Sequence, residues 1–147
     1  MSKQADEFFT QTEELLILDA IRQAENSTSG EVRIHIENKC KHEVLDRAAD
    51  VFDLLKMQKT KLRNGVLFYL AIEDHKFAII GDVGINAKVS DGFWDDIKSL
   101  MFNHFKKGEF AEGLVKGIIK SGEQLKAHFP HMDDDINELP DDISYGN

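Results

Sequence analysis

Gly65-Val66-Leu67-Phe68-Tyr69-Leu70-Ala71-Ile72 is the stretch that decides the fold. It is apolar throughout, and a strand tolerates that only when both of its faces are covered. Its aromatic and branched side chains favour extended backbone over helix. The polar break Glu73-Asp74-His75-Lys76 follows, and Phe77-Ala78-Ile79-Ile80 is apolar again. Two strands separated by so short a break pair as an antiparallel hairpin.

Working upstream, Glu31–Glu37 alternates strictly. Val32, Ile34 and Ile36 point to one face. Arg33, His35 and Glu37 point to the other, which is expected to be wet or lightly covered. Residues 43–57 return to helical period through Val44, Leu45, Ala48, Phe52 and Leu55. A strand, a helix and a strand in this order make a right-handed parallel crossover. Residues 11–26 predict an earlier helix on Leu15, Leu18, Ile21 and Ala24, entered through Thr12 and Glu14. Downstream, Val89-Ser90-Asp91 opens a third helix, with Ser90 or Asp91 as its cap. That helix carries Phe93, Ile97, Leu100, Met101 and His104 and stops at Lys106-Lys107-Gly108. A fourth runs from about Glu109 to His128, and Pro130 closes the domain. The expected architecture is an α/β/α sandwich over residues 10–130, a small mixed sheet with helices on both faces.

Residues 1–9 read as a lead-in, with Phe8 and Phe9 packed beside the first helix. Residues 131–147 hold Asp133, Asp134, Asp135, Glu138, Asp141 and Asp142 and no Lys or Arg, the pattern of a mobile acidic tail. An EF-hand over this stretch is rejected, because Glu138 stands where the loop needs Gly and Ser144 where it needs Glu.

Composition narrows the function. The chain has 147 residues, one domain on size, with a net charge of -9 that opposes general nucleic-acid binding. Its single cysteine, Cys40, excludes an internal disulfide and Cys-rich zinc or CxxC redox sites. No apolar run approaches the roughly 20 residues of a membrane span, and the first residues do not form a secretory signal. The expected compartment is the cytoplasm.

The topology assembles a candidate site. Parallel strands one and two begin at the same end of the sheet, and strand three finishes there. Three turns therefore meet: Ser29-Gly30-Glu31, Arg63-Asn64-Gly65 and Gly81-Asp82-Val83-Gly84. They bring oxygen side chains from Glu31, Asn64 and Asp82, with Asp91 and Asp95 following at the next helix start. An oxygen-rich set with little nitrogen or sulfur suits Ca²⁺ or Mg²⁺ rather than zinc, copper or iron. The same residues also serve as ordinary turn formers and helix caps, and composition alone leaves both readings open.

Five segments taken in order resemble the TPM-domain family. They are Ser27-Thr28-Ser29-Gly30-Glu31-Val32-Arg33-Ile34, Ala48 to Phe52, Arg63-Asn64-Gly65-Val66-Leu67, Phe77 to Ile85, and Phe105-Lys106-Lys107-Gly108-Glu109-Phe110-Ala111-Glu112-Gly113-Leu114. The family is named for a thylakoid-lumen protein, a photosystem II repair protein and a nematode receptor modulator, and this chain looks like a stand-alone soluble bacterial-type member. The resemblance implies an α/β/α sandwich and a divalent-cation site in the loops at one end of the sheet. The matching positions are Glu31, Asn64, Asp82 and Asp91. It also implies two activities to weigh: a metal-binding module that regulates or assembles with another protein, and a metal-assisted acid phosphatase. For the phosphatase, Arg63 or Lys61 would face the phosphate. No P-loop, Asp-x-Asp or Cys-x5-Arg signature accompanies them, since Asp46 stands where the last requires Arg.

Overall fold

The all-apolar segment forms β2 (Gly65–Ala71), buried at every residue. It lies between β1 (Glu31–Glu37) and β3 (Lys76–Gly81) in a sheet of order β3-β2-β1-β4, whose last member is β4 (Ile143–Tyr145). β1 and β2 are parallel and in register from Glu31↔Gly65 to Glu37↔Ala71. β3 returns antiparallel to β2. This computed structural model describes residues 7–26, 28–130 and 143–146.

The helices cover both faces. On one side α1 (Gln11–Glu25), α4 (Phe93–Phe105) and α5 (Phe110–His128) pack on Val32, Ile34, Ile36, Val66, Phe68 and Leu70. On the other, α2 (Val44–Leu54) and a single 3-10 turn at Met57–Lys59 cover Leu67, Tyr69, Ala71 and Ala78. The two cores are the two faces of one alternating sheet, and each fully buried aliphatic side chain in them contributes about 1.5–3 kcal/mol. The α/β/α sandwich is therefore the fold.

The helix starts differ from expectation. Thr10, not Thr12, caps α1, and its reciprocal bonds with Glu13 complete a capping box. α4 begins at Phe93 behind Gly92, whose φ of 81° no other residue adopts cheaply. Neither Ser90 nor Asp91 caps it, and Asp91 is exposed. The segment after β3, expected to be a plain turn, is a short helix, α3 (Val83–Asn86), capped by Asp82.

Two further expectations are corrected. The second face of β1 is not wet: His35 is 6% and Glu37 2% exposed, because Arg47 of α2 lies over them. The end of the acidic tail is not tail but sheet. Ile143–Tyr145 pairs in parallel with Ile34–Ile36, Ile143 is buried, and the Tyr145 hydroxyl donates to Glu14 at 2.7 Å. Residues 131–142, with the acidic run, lie outside the described residues. Phe9 packs in the core, and Phe8 meets both Phe9 and Phe110 edge-on. Among the described residues no helix is long and apolar enough to cross a membrane.

Candidate metal centre at the loop end of the sheet

Three of the four expected ligands come from three neighbouring strands. Glu31 opens β1, Asn64 directly precedes β2, and Asp82 directly follows β3. The backbone ties them together. The Glu31 amide donates to the Asn64 carbonyl at 3.4 Å, and the Asp82 amide donates to the Gly65 carbonyl at 2.9 Å. All three side chains are withdrawn from solvent, at 2%, 1% and 5% exposure. Carboxylates and amides occupy such positions only where something compensates for the lost water.

Asp82 is compensated twice. Arg63 grips it bidentately, Nε to Oδ2 at 2.7 Å and Nη2 to Oδ1 at 2.9 Å, and the Val83 amide donates to Oδ1 at 2.7 Å. The bond to Asp82 holds the Arg63 guanidinium pKa above its ordinary value. Arg63 itself has φ 52°, the left-handed region. The guanidinium that sequence reading offered to a phosphate is thus committed to a carboxylate.

Asn64 is compensated on one side only. Its amide nitrogen donates to Ser29 Oγ at 3.3 Å, and its backbone N–H donates to Thr60 Oγ1 at 3.3 Å. Its side-chain oxygen, Oδ1, is buried and accepts no hydrogen bond. An acceptor left in this state costs about 1–3 kcal/mol, and a hard cation would satisfy it. The set of Glu31, Asn64 and Asp82 offers oxygen alone, so it fits Ca²⁺ or Mg²⁺.

Close backbone approach builds this corner. The Gly84 amide donates to the Arg63 carbonyl at 2.8 Å. A Cβ on Gly84 would collide with the carbonyl oxygens of Leu62 and Arg63. The loop toward α4 is tethered as well. Trp94 Nε1 donates to Asn86 Oδ1 at 2.8 Å, and Asn86 Nδ2 donates to the Gly81 carbonyl at 2.7 Å. Asp91 lies on this loop, exposed, with no hydrogen bond or ion pair to Glu31, Asn64 or Asp82. The backbone of Glu31, Asn64 and Asp82 thus meets at one end of the sheet, while Asp91 is exposed on the loop before α4.

The opposite end of the sheet holds a polar network that the alternating pattern of β1 did not reveal. Glu37 accepts from Arg47 Nε at 2.8 Å, from Arg47 Nη2 at 2.9 Å, from the Tyr69 hydroxyl and from His35 Nε2 at 3.1 Å. Burial pushes its carboxyl up, but the bonds from Arg47, Tyr69 and His35 outweigh that and hold its pKa near about 2. Burial pulls the His35 pKa below 6.5, against the opposing pull of Glu37. Burial, then the bond to Glu37, pushes the Tyr69 phenol up. His35 Nδ1 also meets Ser144 Oγ of β4 at 2.9 Å. The adjoining cleft of about 420 Å³ is lined by Glu37, Lys39, Lys41, His42 and Arg47 among others. Its one deeply buried carboxylate is saturated by donors, so this network is structural. The missed signal was Arg47, one polar residue on an otherwise apolar helix face.

Comparison with known proteins adds to the geometry. The family described as TPM domain matches residues 2–124. The BA42 protein of the psychrophilic bacterium Bizionia argentinensis has an NMR structure that is 54% identical, covering 99% of this chain and 100% of that one, with a TM-score of 0.90. The N-terminal domain of a P. gingivalis protein shares the fold at 21% identity and TM-score 0.69, over 84% of this chain and 82% of that one. The N-terminal domain of cg2496 from Corynebacterium glutamicum does so at 12% identity and TM-score 0.65, over 81% and 75%. No curated protein matches.

Proposed function

The chain belongs to the TPM-domain family, and from that premise we propose that it is a divalent-cation-binding module with a regulatory or assembly role. The cation is Ca²⁺ or Mg²⁺, held by Glu31, Asn64 and Asp82, with Asp91 drawn in from the rim. The observation that carries this is the buried Asn64 Oδ1 that accepts no hydrogen bond beside two buried carboxylates. When bound, the cation would supply a positive centre for the oxygens of these residues, at the starts of β1 and β2 and the end of β3. This chain's residues do the rest. Ser29 and Thr60 orient Asn64, Arg63 fixes the Asp82 carboxylate through two hydrogen bonds, and the Trp94–Asn86 tether holds the loop that carries Asp91. Occupancy then stiffens one loop surface, and that surface is where a partner protein would read it. The commitment of Arg63 to Asp82 leaves Lys61 as the cation that the alternative phosphatase reading would turn to the phosphate.

The test is a titration of Ca²⁺, and separately Mg²⁺, into metal-stripped protein, followed by backbone amide shifts. Saturable shifts at Gly30–Glu31, Asn64–Gly65, Asp82–Gly84 and Ser90–Asp91, lost on Asp82→Asn, are expected. Shifts confined to Asp133–Asp142, or none at all, overturn the site. Metal-dependent turnover of a generic phosphate ester that Asp82→Asn abolishes would replace the module with the enzyme.

A further inference from the structure

The turn between α4 and α5 carries a second cluster of donors, distant in sequence from every strand-end loop. His104 lies in the last turn of α4, Glu109 directly precedes α5, and Glu112 is in the first turn of α5. One ligand atom from each lies within 4.8 Å of the others. We propose that these three residues form a binding site for a borderline divalent ion, Zn²⁺, separate from the hard-cation site at the loop end.

The chain prepares this geometry. Gly108, at φ 80°, turns the backbone so that the Glu109 amide donates to the His104 carbonyl at 3.0 Å. The same two residues meet again through their side chains, His104 Nδ1 to Glu109 Oε1 at 2.9 Å. The imidazole is only 14% exposed, so packing fixes its orientation and aims Nδ1 outward toward the carboxylates. Glu112 follows Glu109 by three residues, which places both on one side of the helix. Lys116 takes Glu112 Oε1 at 3.4 Å, and the other oxygen, Oε2, stands 4.0 Å from His104 Nδ1. Both glutamates are about half exposed, so an ion can enter and the side chains can close on it.

The donor chemistry separates the two sites. The loop end offers oxygen only. This turn offers one imidazole nitrogen and two carboxylates, a set that favours Zn²⁺ over Ca²⁺ or Mg²⁺. His104 would offer the ion its Nδ1 lone pair and Glu109 and Glu112 a carboxylate oxygen each, in place of the present His104–Glu109 hydrogen bond. Zinc sites with three protein ligands are those that exchange a further ligand. Bound there, the ion ties the end of α4 to the start of α5.

The experiment titrates Zn²⁺ into the full chain in the presence of excess Ca²⁺ and follows amide and imidazole shifts. One equivalent should saturate shifts centred on His104, Glu109 and Glu112. His104→Gln and Glu112→Gln, both checked by circular dichroism for an intact fold, should each weaken binding at least tenfold. Asp82→Asn should leave it unchanged, so failure of this site and failure of the loop site are told apart. Shifts centred on His42, His75 or His128, wild-type affinity in His104→Gln, or no saturation below millimolar Zn²⁺ would each overturn the proposal.

Discussion

Arg63 keeps a left-handed backbone and places its guanidinium across Asp82. It stands in for a cation at the loop end, and a real cation must compete with it for the same carboxylate oxygens. Arg63→Gln should therefore tighten Ca²⁺ or Mg²⁺ binding several-fold, measured by calorimetric titration; equal or weaker affinity would show that the guanidinium does not compete. At the other end, Arg47 is the partner that makes a buried Glu37 tolerable. Arg47→Met strands that carboxylate and should cost about 3 kcal/mol in denaturant unfolding. The meeting of the turns at Glu31, Asn64 and Asp82 was legible from sequence because the topology sends all three to one end of the sheet. Arg63 and Arg47 were not, because a long cationic side chain reaches a partner that the periodicity of its own element does not indicate.

At the scale of elements, most of the sandwich could be read because hydrophobic period, turn residues and strand length agree from Gln11 to His128. The misses share a cause. α3 is too short to show a period, and β4 is a three-residue strand beyond a highly charged stretch. α3 nonetheless fixes the corner through Gly84. Gly84→Ala forces backbone atoms apart and should cost about 3 kcal/mol by thermal melting, with amide shifts spreading through Leu62–Asn64. β4 covers His35, whose pKa in the folded chain is below 6.5. As pH falls through 6.5 the unfolded chain takes up this proton first, so stability should drop. Glu37, held near about 2 against an ordinary 4.5, adds stability above pH 4.5 that is lost progressively as pH falls toward 2. His35→Gln should flatten the first of these two steps in Tm against pH and keep most of the second, which the larger contributions of Arg47 and Tyr69 sustain. An unchanged first step would assign it to another group.

For the molecule as a whole, a cation that binds only the folded state stabilises all of it. At a hundred times its Kd the gain is about 2.7 kcal/mol, which a Tm series in Ca²⁺ should show and Asp82→Asn should lack. The sheet also has an order of assembly. His35 and Ser144, bonded across β1 and β4, are 109 residues apart in the chain. At ribosomal rates of about 5–20 residues per second, the outer edge of β1 waits about 5–20 s for its neighbour. A bare edge is where nascent chains recruit one another. Glu31, Arg33, His35 and Glu37 line one face of that edge at every second position. Before the sandwich closes, any copy that docked there in register would stack charge upon like charge. Two of these, His35 and Glu37, belong to the buried network of the finished sheet, so the same alternation that builds that network would also oppose in-register pairing of unfinished copies.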